Sequence, residues 1–149
     1  MSQPLPTHGF YWLNAEEIQN IAISEIPEDG EDGYIFKVNL KYPQHLHDTH
    51  NDYPLAPEKK SIREEMLSPY SKDTWKAIHP EHTYTSTEKL ITDLHDKENY
   101  VVHYRNLQLY TAMGMEVTKI HCVLGFKQSA WLRPYITFNT EKRKQAKNA

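Results

Sequence analysis

Two short stretches carry the side chains best suited to chemistry. HLHDTHND sets His45, His47 and His50 beside Asp48 and Asp52, residue types that ligate zinc and other divalent ions. EKRKQAK supplies Lys142, Arg143, Lys144 and Lys147. On a helix Arg143 and Lys147 lie four residues apart and share a face, with Lys142 and Lys144 flanking them, so one surface can offer several cations to an anion. Like charges at that spacing repel by roughly a few tenths of a kcal/mol. The cluster is therefore either a solvated face or one completed by an anion or an acidic neighbour, and the spacing leaves both open.

The histidine stretch is weaker than its composition suggests. Its spacing matches no standard zinc template, the lone Cys122 is remote in sequence, and Asp, Asn and His are ordinary turn formers. HPEH, residues 79–82, lies in the same polar region and adds little. No metal ligand and no catalytic residue is assigned. There is no GxSxG for a hydrolase nucleophile, and Cys122 reads as an inward strand position. Neither a Walker loop nor a dinucleotide fingerprint occurs, so phosphate recognition would rely on side chains.

The elements that must position these groups follow from patterning. MSQPLPTHGFYWL reads as an extended arm leading into a strand at 9–13, and Asn14 caps a helix over AEEIQNI. After the acidic turn IPEDGEDG, Tyr34, Phe36, Val38, Leu40 and Tyr42 alternate with polar or smaller neighbours, predicting a strand ended by Pro43. From Gln44 to about His82 the chain reads as a long polar excursion with short helical hints such as SIREEML. Order returns with STEKLITDLH. In NYVVHYRNLQLYTAMG the spacing of Tyr100, Tyr104, Leu107 and Thr111 predicts one helix, stopped by Gly114. EVTKIHCVLGF predicts a strand with Ile120, Cys122, Leu124 and Phe126 inward. WLRPYI then leads to a basic helix capped by Asn139 or Thr140. The fold class expected is α+β, with sheet strands separated by long inserts.

The 149 residues suit one domain with a real core. One cysteine excludes an internal disulfide framework, and no apolar run is long enough to span a bilayer, so the expectation is a soluble protein of a reducing compartment with no membrane partner. Net charge is only -3, but it is unevenly spread. Residues 1–36 hold seven acids and no Lys or Arg, whereas residues 117–149 hold seven Lys or Arg and the single acid Glu141. That asymmetry suits a local anionic partner such as a nucleic acid or a triphosphate.

Several segments, in order and nearly end to end, resemble the protein-primed family B DNA polymerases of viruses and Maverick-type transposons. They are MSQPLPTHGFYWL, YPQHLHDTHNDYPLAPEK, NYVVHYRNLQLY, TKIHCVLGFKQSAWLRPYI and FNTEKRKQAKN. The resemblance implies an interval between motif A, whose metal-binding aspartate would precede Met1, and motif B, whose lysine and NSxYG-like signature would follow Ala149. It implies a palm-edge segment over 1–43, an insertion contacting the priming protein and duplex over 44–99, and a palm and fingers segment over 100–149. Arg143, Lys144 and Lys147 would then meet the incoming deoxynucleoside triphosphate, and Lys127, Arg133 and Lys142 the DNA. Mg2+ would serve the complete polymerase, with none expected in this chain, and the isolated chain would be inactive.

Some positions depart from the family pattern. VNLKYP is similar to the DxxSLYP form of motif A, but Lys37 stands where its aspartate belongs. Asn39 replaces a frequent acid and Ala130 a frequent proline. Two other readings remain: a DNA- or protein-binding remnant without polymerase activity, and a His-rich metal protein or nuclease built on HLHDTHND.

Overall fold

The alternation over 34–42 folds as expected. In the computed structural model, which describes residues 3–146, strand β2 (Asp32–Lys41) buries Phe36, Val38 and Leu40 completely while Ile35, Lys37 and Asn39 between them are half-buried. β2 lies inside a four-stranded antiparallel sheet of order β1-β6-β2-β5, with β1 at Leu5–Trp12, β5 at Lys97–His103 and β6 at Glu116–Ser129. The protein is α+β and divides into two compact units, one of residues 1–44 with 96–149 and one of residues 45–95.

β6 is the long strand of this sheet, and it does not keep the simple alternation read from its sequence. Pairing with β2 shifts between Lys37↔Cys122 and Val38↔Ile120, and again between Asn39↔Lys119 and Leu40↔Val117. His121 and Thr118 are thus extra residues, and each bulge reverses the phase of the side chains. Both are held by Asn39. His121 Nε2 lies 2.7 Å from the Asn39 side-chain oxygen, and the Thr118 hydroxyl donates to the Asn39 carbonyl at 3.3 Å. Among the apolar side chains of β6, Val123 and Phe126 are fully buried, whereas Ile120, Cys122 and Leu124 are only half-buried. At Gly125 the ring of Tyr11 comes so close that a Cβ would sit 2.5 Å from it, so any side chain there would push that ring aside.

Helix α1 (Ala15–Asn20) starts where expected, at Asn14. The Asn14 side chain accepts from Glu17 N at 2.9 Å, and the Glu17 carboxylate accepts from Asn14 N at 2.8 Å, a complete capping box. The acidic turn that follows is pinned by Tyr104 and Gln128 of the same unit. Tyr104 donates its hydroxyl to the carbonyls of Pro27 and Glu28, and the buried Gln128 amide donates to Gly30 and Tyr104.

The expected single helix over NYVVHYRNLQLYTAMG is half strand. Tyr100, Val101 and Val102 belong to β5, and helix α4 begins only at Tyr104, ending at Ala112. β-branched and aromatic residues beside an open sheet edge favour extended backbone over a helical turn. The switch occurs at His103, whose Nδ1 accepts from Arg105 N at 3.4 Å as an N-cap. α4 buries Tyr104, Leu107 and Tyr110, and Gly114 ends it with φ of 98°, as its sequence position implied.

The polar excursion is more ordered than its composition suggested. Within the second unit, β3 (Glu58–Ile62) pairs antiparallel with β4 (Thr87–Ile91), after a single helical turn, α2, at His47–His50. Helix α3 (Pro69–Ile78) starts at Ser68, whose hydroxyl accepts from Ser71 N at 3.1 Å, with proline in the first turn. The helical hint SIREEML resolves into the end of β3 and a 3-10 turn at Glu64–Met66. This unit is tied by Lys60, paired with Glu58 and Asp93, and by an edge-on contact of Trp75 with Tyr84.

Candidate nucleic-acid interface

The basic helix, α5, runs from Arg133 to Gln145 and is not capped by Asn139 or Thr140. Those two side chains lie inside it and bond back to carbonyls one turn earlier, Asn139 to Tyr135 at 2.8 Å and Thr140 to Ile136 at 2.8 Å. The start signal is instead proline in the first turn, where its fixed φ fits a helix and its missing N–H costs nothing. Arg133 N bonds Ala130 O and Ile136 N bonds Leu132 O, which winds the first turn directly out of β6.

No residue of α5 is buried. Lys142, Arg143 and Lys144 occupy the last turn, where the partial negative charge of the helix end offsets part of their mutual repulsion. The cluster therefore does not need an anion to exist. Lys147, also expected at the triphosphate, lies outside the described residues. Arg133 opens the helix at the other end, about three turns from Lys144. Lys127 stands apart from this group, on β6. Its ammonium lies 2.6 Å from Asp32, and that bond holds its pKa above the ordinary lysine value, so an ion pair occupies the expected DNA contact.

Sequence reasoning missed the rings beside the cations. Trp131, Tyr135 and Phe138 are 61%, 64% and 58% exposed. Tyr135, Phe138 and Lys142 fall within about 60° of one another around the helix, and Trp131 stands in the turn that precedes it. Lys142 Nζ stands 5.6 Å from the Phe138 ring centre, a cation–π contact. The signal was present as aromatics at i, i+4 and i+7. It becomes legible only once the helix is started at Arg133.

Elsewhere the candidate chemistry is thinner. HLHDTHND contains the single turn α2 at His47–His50, with His50 buried and Asp48 and Asp52 exposed. Among the described residues no group of three or more His, Cys, Asp or Glu converges as a metal ion would require. An open cleft of about 1100 Å3 in the sheet unit is lined by Gln3, Leu5, Ser24, His103, Arg105 and Gln108, among others. Its cation, Arg105, is already paired with Glu28 at 2.8 Å and bonded to Gln3. Burial, and then the charge of Arg105, push the His103 pKa down, favouring a neutral imidazole.

Comparison with known proteins adds no assignment: no protein-family model, curated protein or solved structure matches the chain. Among the described residues no helix is long and apolar enough to cross a membrane.

Proposed function

We propose that the chain is the interval between motif A and motif B of a protein-primed family B DNA polymerase, an enzyme of viral or transposon DNA replication. The observation that carries this reading is the ordered run of five segments that resemble the family across nearly the whole chain. Two structural features support it. The unit of residues 45–95 interrupts the sheet unit between β2 and β5, close to the interval 44–99 that the resemblance gives to the insertion contacting the priming protein and duplex. The cations of α5 cluster in its last turn, at the position where the fingers should begin.

On this reading Arg143, Lys144 and Lys147 neutralise the incoming triphosphate, while Arg133 and Lys142 face DNA. Lys127 fits less well, because a DNA phosphate would have to displace Asp32. Polymerase chemistry uses two divalent ions, in the family Mg2+, held by palm carboxylates. Among the described residues no carboxylate group of that kind converges. The alternative, a retained binding module without polymerase activity, draws on the exposed ring-and-cation face of α5, which needs no catalytic site.

The test uses the polymerase encoded with the flanking sequence. Arg143→Ala should raise the nucleotide KM or lower kcat with template affinity nearly unchanged, a loss of roughly 1.5–3 kcal/mol for a charge-assisted contact. Lost template affinity would reassign the helix to the DNA backbone. Flanking sequence lacking both an in-frame aspartate motif upstream and the lysine-bearing motif downstream would reject the polymerase reading in favour of the module.

A further inference from the structure

α5 combines two features that a merely solvated helix does not need. Charged side chains are content in water, but three large exposed rings in and just before the helix are not, because each leaves apolar surface hydrated. All three rings are more than half exposed, so they contribute little to a core. Lys142 shares the face of Tyr135 and Phe138, Arg143 and Lys144 follow it in the last turn, and Glu141 is the only acid in the helix. A protein partner would have to be both acidic and able to seat three rings. A strand of unpaired bases meets both demands with one chemistry, since its phosphates match the cations and its bases have flat faces for the rings.

We propose that Trp131, Tyr135 and Phe138 form a stacking platform for unpaired nucleobases, with Lys142, on the same side of the helix as Tyr135 and Phe138, holding a phosphate of the same single strand. The inference deepens the DNA-contact part of the reading above and rests on it for the identity of the polymer as DNA. Lys142 links the two halves of the surface, as its ammonium already lies over the Phe138 ring. The platform distinguishes single strands from duplex, because paired bases hide their faces in the stack.

The experiment uses the whole chain and three dye-labelled probes of equal length, about 16 nucleotides: oligothymidine, an abasic oligodeoxyribose, and a duplex. Oligothymidine should bind roughly ten-fold or more tightly than the abasic strand or the duplex. Trp131→Ala, Tyr135→Ala and Phe138→Ala should each weaken oligothymidine binding by roughly ten-fold and leave the abasic strand unaffected, with helix content unchanged by circular dichroism. Lys142→Ala should weaken both strands and reduce the slope of log affinity against log salt by about 0.7.

Equal binding of oligothymidine and the abasic strand, or ring variants that bind as the parent does, would overturn the platform. It would leave the polymerase reading standing, since that reading is decided by the flanking motifs. Concentration-dependent dimerisation abolished by the ring substitutions, with no binding of any strand, would overturn it in favour of a second copy of the chain.

Discussion

Phe126 and Phe138 are the same residue type in neighbouring elements, and the molecule treats them oppositely. Phe126 is fully buried in β6, 5.9 Å from the Phe10 ring and 6.2 Å from His103. Phe138 is 58% exposed on α5 and has a lysine over its face. In the sheet, aromatic area is withdrawn from water and stabilises the fold. On α5 the same area is left wet beside a cluster of cations. The difference separates residues that serve stability from residues free to serve recognition, and substitution should distinguish them.

The largest effect is expected in the sheet. Phe126→Ala removes a fully buried ring and leaves a cavity between β6 and its neighbours, costing about 3–5 kcal/mol. Chemical denaturation of the sheet unit should report this as a lower midpoint with an unchanged slope. A loss below about 1 kcal/mol would mean that Phe126 is no more structural than Phe138, and the contrast would fail.

The contrast also explains what could be read in advance. β2 was legible because its inward residues, Phe36, Val38 and Leu40, are paired on both sides and never change face. β6 was legible as a strand but not in its inward set, because the bulge at His121, held by Asn39 of another strand, moves Ile120 to the face of Val123 and away from that of Cys122, Leu124 and Phe126. Tyr100 to Val102 fit a helical period as well as an extended one, and the sheet edge decided between them. Asn99 contributes with φ of 54° and a backbone N–H bonded to the Asn39 side chain. The cations of α5 could be found from sequence, but the helix start was hidden by two plausible caps, Asn139 and Thr140. With that start misplaced, the ring spacing went unread. The order within residues 45–95 was obscured by polarity, since its ties include the ion pairs of Lys60 and the Ser68 cap rather than a large apolar core.

A smaller effect should follow pH at the junction of β5 and α4. His103 has its pKa lowered, by burial first and then by Arg105, so the unfolded chain takes up its proton at higher pH than the folded one. The stabilisation from keeping this imidazole neutral is complete above the unfolded value of about 6.5 and is lost as pH falls below it toward the folded pKa. Protonation at Nδ1 also removes the acceptor that caps α4. The melting temperature should therefore fall between neutral and mildly acidic pH, and His103→Asn, which keeps a capping acceptor, should flatten that dependence. A slope unchanged by the substitution would assign the acid sensitivity to another group and leave the sheet side of the comparison resting on its apolar contacts alone.

The smallest effect is the most informative about α5. Tyr135→Ala and Phe138→Ala remove exposed rings and replace them with the best helix former, so stability should change by no more than about 0.5 kcal/mol in either direction. Thermal unfolding of each variant beside the parent measures this, with helix content as a control. The expectation follows from the exposure of both rings and from the absence of any buried residue on the helix. Phe138→Ala also removes the cation–π contact with Lys142, which is worth about 0.5–1 kcal/mol at an exposed site, and the helix propensity of alanine offsets part of that loss. If either variant instead lost 2 kcal/mol or more, a scale typical of core truncations, its ring would be packed against the protein in solution. The exposed line on α5 would then belong to the fold, and its rings would have no surface to offer a partner.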